Sequence, residues 1–190
     1  MERYFQEKIE CAPRSEIKKL QRKDGFFDSI PSTPFDKVFT GSFYADRFNL
    51  ADWWVPWYAI HKIYAGLIDA FKLGKNDDAL KIVTGMADWA VSGLKNLNDE
   101  QFQKMLVCEH GGMCKVMADM YEITDKKEYL DLSERFIHKE IVNPLIEQQD
   151  KLQGYHANTQ IPKIIGLAKL YELTGKEDFS LKQSRKIILM

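Results

Sequence analysis

The chain has few cysteines, no excess of either charge and no long apolar run. Its 190 residues carry three cysteines, Cys11, Cys108 and Cys114. A small secreted scaffold held by disulfides uses more of them, and usually an even number. Three thiols without a C-x-x-C pair therefore point to a reducing compartment, and the expected location is cytoplasmic. Cys108, Glu109, His110 and Cys114 are neighbouring donors, but contiguous side chains on a helix fan out about 100° apart and do not converge on zinc. Lysine and arginine total 27 against 28 aspartates and glutamates, a net charge of -1. Without a basic excess, bulk electrostatics gives no grip on nucleic acid. No stretch approaches the roughly 18 apolar residues of a bilayer span. The first eight residues, MERYFQEK, lack the apolar centre of a secretory leader. The expectation is no nucleic-acid partner, no membrane partner, and no metal or other cofactor in this chain.

What is present is a composition able to build a core. Hydrophobic residues make up 45%, and there are 4 Trp, 8 Tyr and 11 Phe. A chain of this size buries roughly 70% of its unfolded surface. Ring content this high with so little net charge excludes a disordered chain. Three of the tryptophans, Trp53, Trp54 and Trp57, stand within five residues.

The pattern along the chain divides it into leading helices over 1–24, a long loop over 25–52 and helical hairpins over 53–190. The loop assignment rests on Gly25, Pro31, Pro34 and Gly41 and on the lack of a helical period. A loop of that length in a compact domain implies a role. Apolar spacing then predicts helices over about 53–71, 77–94, 100–123, 126–142, 159–173 and 176–188. Pro144 is expected near a boundary. His138 reads as an outer-helix surface or interface residue, and Met113, Met117 and Met120 as core.

An internal repeat is the most informative pattern. The segments Leu67–Lys75, Met117–Asp125 and Leu167–Gly175 align, with aromatics at Phe71, Tyr121 and Tyr171. A polar turn and a second helix follow, with Leu80 and Leu130 matching and Ser180 departing in the third copy. Hairpins of this kind bury their faces by stacking on each other. The expected fold class is all-α: αα-hairpin repeats of about 50 residues forming a partial α/α toroid, about half of a six-hairpin ring.

The repeat sets three inner-helix starts side by side. They carry Trp53, Trp54, Trp57 and His61; then Glu109 and His110; then His156, Asn158 and Gln160. Aromatic faces stack on the C–H faces of a sugar, while amide, imidazole and carboxylate groups satisfy its hydroxyls. These nine residues are the candidate carbohydrate-binding set. Five have a blander reading: core or loop-anchoring for the three tryptophans, helix packing for His61, capping or pairing for Glu109. Hydrolysis of a glycoside needs two suitably spaced groups, usually carboxylates. Glu109 is the single well-placed one, and no cysteine has the setting of an activated nucleophile. A binding cleft is expected, with no complete catalytic set.

The strings WWVPWYAIHKIYAGLIDAF (53–71), EHGGM (109–113) and HANTQIPKIIGLAKLYELTG (156–175) resemble glycoside hydrolase family 127, the β-L-arabinofuranosidases and their relatives. The likeness runs over about residues 20–180. It implies an (α/α)6 barrel followed by β-sandwich domains, and retaining hydrolysis of terminal β-L-arabinofuranosides or related plant-type sugars. It implies a cysteine nucleophile held near zinc, with further cysteine and glutamate ligands. It places sugar-binding histidines on His61, His110 and His156. The family's zinc and nucleophile segment lies further toward the C-terminus, so zinc is expected only in a full-length relative. Cys114-Lys115 stands where the family commonly has Asn-Glu. The expectation is therefore a truncated catalytic barrel, inactive alone, whose exposed edge favours self-association into a homo-oligomer. The alternative is a non-catalytic helical-repeat module that binds carbohydrate or serves as a scaffold.

Overall fold

The computed structural model describes residues 21–27 and 31–179. The leading helices expected over 1–24 fall almost wholly outside these residues, as does most of the helix expected over 176–188. The described chain is predominantly helical. In order it forms α1 (Thr33–Phe39), β1 (Asn49–Leu50), β2 (Trp53–Trp54), α2 (Pro56–Lys72), α3 (Asp77–Leu94), α4 (Asp99–Leu106), α5 (Met113–Thr124), α6 (Lys127–Arg135), α7 (Lys139–Ile146), α8 (Ala157–Thr174) and a 3-10 turn at Glu177–Phe179. β1 and β2 pair antiparallel, Asn49 with Trp54 and Leu50 with Trp53.

α5 packs against both α2 and α8, while α3 and α6 pack behind α2 and α5 and touch each other. An ion ladder crosses the front row. Glu122 of α5 takes Lys72 of α2 at 2.7 Å and Lys169 of α8 at 2.6 Å. The ends of α5 and α8 share one geometry, fifty residues apart. Asp125 and Gly175 both sit in the left-handed region, φ 58° and 65°, and their amides donate to Tyr121 and Tyr171 carbonyls. That left-handed cap satisfies carbonyls which the last helical turn leaves open.

Local signals account for the other boundaries. The Asn76 side chain caps α3, accepting from the amides of Asp78 and Ala79. Asn98 and Gln101 form a reciprocal capping box on α4. Three of the expected boundaries differ. The segment 25–52 contains α1, where Pro34 starts a helix instead of interrupting one and Phe35 and Val38 are fully buried. The helix expected over 100–123 is two helices, divided at Val107–Gly112. The one expected over 126–142 also divides, at Phe136–His138, and Pro144 lies inside α7.

The ring-rich composition is resolved by the core. Phe35 meets Trp57 at 4.8 Å and Trp89 at 5.1 Å, edge to face. Phe26 packs on Trp89 at 4.7 Å, and Phe136 contacts both Trp57 and Phe102. Such pairs contribute about 0.5–1.5 kcal/mol each beyond area burial, which is how a seven-residue α1 is held. Met113, Met117 and Met120 are buried. Among the described residues no helix is long and apolar enough to cross a membrane.

Candidate functional site

The start of α2, the turn before α5 and the start of α8 surround a cavity of about 370 Å3. Its lining is Phe48, Trp54, Val55, Tyr58, Glu109, His156, Asn158 and Thr159. Each segment is held there for a local reason. The β1–β2 hairpin is reinforced by the Val55 amide donating to the Phe48 carbonyl at 3.0 Å. Ala51, Asp52 and Val55 all have positive φ, 52°, 71° and 36°. A β-branched residue in that region is strained, at a typical cost of about 1–3 kcal/mol. The strain thus lies at Val55, in the cavity wall, where the chain turns Trp54 outward and starts α2.

Glu109 follows α4 in irregular chain. Its amide donates to the Arg47 carbonyl at 3.0 Å. Its carboxylate is buried, with Arg47 Nε 3.4 Å from Oε1 and His156 Nδ1 at 3.1 Å from Oε1 and 3.2 Å from Oε2. The His156 ring leans on Phe48, with centroids 5.8 Å apart. Asn158 Nδ2 donates to the Tyr58 hydroxyl at 3.5 Å. Trp54 is 74% exposed, far more than an isolated core tryptophan. The cavity therefore combines an open indole, two further rings, an oriented imidazole, a carboxylate and an amide.

Of the nine predicted residues, four line this cavity: Trp54, Glu109, His156 and Asn158. Trp53 lies opposite Leu50 on the hairpin, exposed and outside the lining. Trp57 belongs to the core: it is buried, and its Nε1 donates to Met105 Sδ at 3.1 Å. Trp54 ends β2 and Trp57 lies in the first turn of α2, with the left-handed Val55 between them, so the two indoles point to different sides. His61 is buried behind the wall, its ring edge-on to Tyr58 at 4.9 Å. Burial pushes its imidazole down to about 4, assisted by Lys62. His110 and Gln160 are also buried. Desolvation first, then Lys163 and His138, hold His110 well below the ordinary histidine range.

Two further corrections concern the same layer. Cys108, Glu109 and His110 are not on a helix. His138, expected at the surface, is 3% exposed, and its Nδ1 meets Lys163 Nζ at 3.0 Å. Burial pushes His138 down to about 3 and Lys163 down to about 7. Phe48, Val55, Tyr58, Thr159 and Arg47 were missing from the predicted set. Tyr58 carried a signal, as an aromatic within the tryptophan motif, whereas Arg47 and Phe48 lay in sequence without a period.

Among the described residues no three His, Cys, Asp or Glu side chains are grouped to hold a metal. Burial pushes the Cys108 and Cys114 thiols up to about 12, away from the thiolate that an activated nucleophile needs. Cys114 Sγ instead contacts Ser133 Oγ at 3.6 Å. A second cleft of about 290 Å3 between α4 and α6 is ringed by charges, of which Arg135 and Glu134 are already engaged. Arg135 serves the carbonyls of Leu94 and Leu97, and Glu134 pairs with Lys176 at 2.6 Å.

No curated protein matches the chain. The family model described as β-L-arabinofuranosidase, GH127 catalytic domain, matches residues 6–187. With nearly its whole length matched, the chain belongs to the GH127 β-L-arabinofuranosidase catalytic-domain family, a family of glycoside hydrolases.

Proposed function

We propose that the chain supplies the sugar-binding part of a glycoside hydrolase domain acting on β-L-arabinofuranosides or related plant-type sugars. The carrying observation is the cavity itself, where exposed Trp54 stands with Phe48 and Tyr58 beside Glu109, His156 and Asn158. Rings of this kind cover C–H faces, and the polar groups satisfy hydroxyls. Bond cleavage is assigned to groups beyond these residues. Glu109 is the one carboxylate in the cavity lining, and it is already shared between Arg47 and His156. Retaining cleavage needs a second group across the bond.

The same reading places the stacked helices in an (α/α)6 toroid and the protein in the cytoplasm, with zinc confined to a longer relative. It takes the exposed α8 face bearing Ile161 and Ile165 as the edge through which copies self-associate. The second reading, a carbohydrate-binding module without catalysis, uses the same cavity. Both are tested by calorimetric titration with methyl β-L-arabinofuranoside, alongside hydrolysis of the p-nitrophenyl glycoside with bound zinc measured. Saturable binding without turnover is the expected result. Absence of binding would overturn both readings, and turnover by this chain would overturn the placement of the cleaving groups.

A further inference from the structure

We propose that Arg47 is a positioning residue of the cavity: it holds Glu109 where that carboxylate fixes the tautomer of His156. Three separate segments meet at this side chain. Arg47 joins Glu109 twice, through its carbonyl to the Glu109 amide at 3.0 Å and through Nε to Oε1 at 3.4 Å. Its guanidinium lies over the Phe48 ring at 5.1 Å and the Tyr155 ring at 4.8 Å. Tyr155 is itself held by its hydroxyl donating to Glu140 at 2.9 Å. Arg47 therefore connects the chain before β1, the turn before α5 and the turn before α8, and each of these supplies cavity lining.

The consequence is chemical. A buried carboxylate that loses its charge partner is strongly destabilised, and the Glu109 side chain is only 8% exposed. The buried Lys163 amine also feels this charge, but its hydrogen bond runs to His138. Arg47 thus keeps Glu109 seated against His156 Nδ1, at 3.1 Å. With Nδ1–H donating to the carboxylate, Nε2 of the neutral ring keeps its lone pair and accepts a hydrogen bond from a ligand hydroxyl. The His156 side chain is 58% exposed, so that acceptor is open to the cavity side. An arginine suits this place because its planar fork presents Nε to the carboxylate while its plane rests between two rings, which a lysine does not reproduce.

The test follows the His156 ring nitrogens by long-range 15N NMR at neutral pH, in the full chain and in R47M and R47K. The wild type is expected as the Nδ1–H tautomer, R47M as a mixture, and R47K in between. For methyl β-L-arabinofuranoside the dissociation constant is expected to rise about tenfold in R47M and less in R47K, the scale of one charge-assisted contact. Only this binding arm rests on the sugar-pocket reading. A tautomer shift without any sugar binding by the wild type sinks that reading and leaves the positioning role standing. Ring-nitrogen signals in R47M identical to wild type overturn the positioning role. If R47M does not fold, R47K decides: displaced signals support the role, and unchanged signals overturn it.

Discussion

Replacing Gly111 with alanine is expected to destabilise the fold far more than replacing Gly175, although the two glycines have nearly the same backbone. Their φ angles are +58° and +65°. An alanine in the left-handed region costs about 1–2 kcal/mol at either place. The surroundings differ. A Cβ on Gly175 meets nothing within 4 Å, whereas one on Gly111 stands 2.5 Å from His61 Cε1 and 2.9 Å from Tyr58 Cδ2. Both contacts are too close to persist, and both neighbours are rings of the wall layer. Overpacking of this kind costs a further ~1–3 kcal/mol. The totals are about 2–5 kcal/mol for G111A and about 1–2 kcal/mol for G175A. At roughly 2–4 °C per kcal/mol for a chain of this size, the Tm should fall by about 4–20 °C and about 2–8 °C respectively. Thermal melts followed by circular dichroism, with urea titrations for ΔG, read the difference directly. Equal losses in the two variants would refute the claim that the 109–112 turn presses against His61 and Tyr58.

Other outcomes follow from the same geometry. Because Trp54 is 74% exposed, W54A should leave ΔG of unfolding within about 0.5 kcal/mol of wild type while weakening sugar binding in calorimetric titration. Acidification should destabilise the protein through its buried histidines. His61 and His138 have folded pKa values of about 4 and about 3, below the ordinary 6.5, so the unfolded chain binds more protons as pH falls below 6.5. Stability is then lost from pH 6.5 downward, by at most ~1.4 kcal/mol per pH unit for each histidine. Urea midpoints between pH 7 and 5 check this, and a flat profile would contradict the burial of these rings. Cys108 and Cys114, with thiols raised from 9.0 to about 12, should be alkylated about a thousandfold more slowly than exposed thiols at pH 8 in the native state, as followed by peptide mass spectrometry. Asp125, left-handed at an exposed helix end, should tolerate D125G with a gain of about 0.5–1 kcal/mol in urea titration.

The parts of this structure written in local pattern were legible from the residues. The 3.6-residue apolar spacing marked α2 and α3, and the polar turns after Tyr121 and Tyr171 marked the helix ends at Asp125 and Gly175. The pairing of Glu109 with His156 was approached through the repeat, which set their segments side by side. What escaped depends on distant contacts. His138 looks like a polar-face residue until Lys163 arrives from α8, twenty-five positions away. Trp57 shares a motif with Trp54, yet one turns into the ring core and the other to solvent. Pro34 has the same letter whether it interrupts a helix or starts one, and burial of Phe35 against Trp57 and Trp89 decides between them. Arg47 has no periodic context at all, and its importance appears only once three separate segments meet around it.

The central claim, that the cavity between α2, α5 and α8 receives a furanoside, is tested most directly by mapping where such a sugar lands. In a 15N-labelled sample titrated with methyl β-L-arabinofuranoside, the Trp54 indole, the His156 ring and the Asn158 side-chain amide should shift together and saturate with one dissociation constant. The Trp57 and Trp89 indoles, buried in the core, should stay in place. Saturable shifts confined to any other surface, or none at all, would contradict the account.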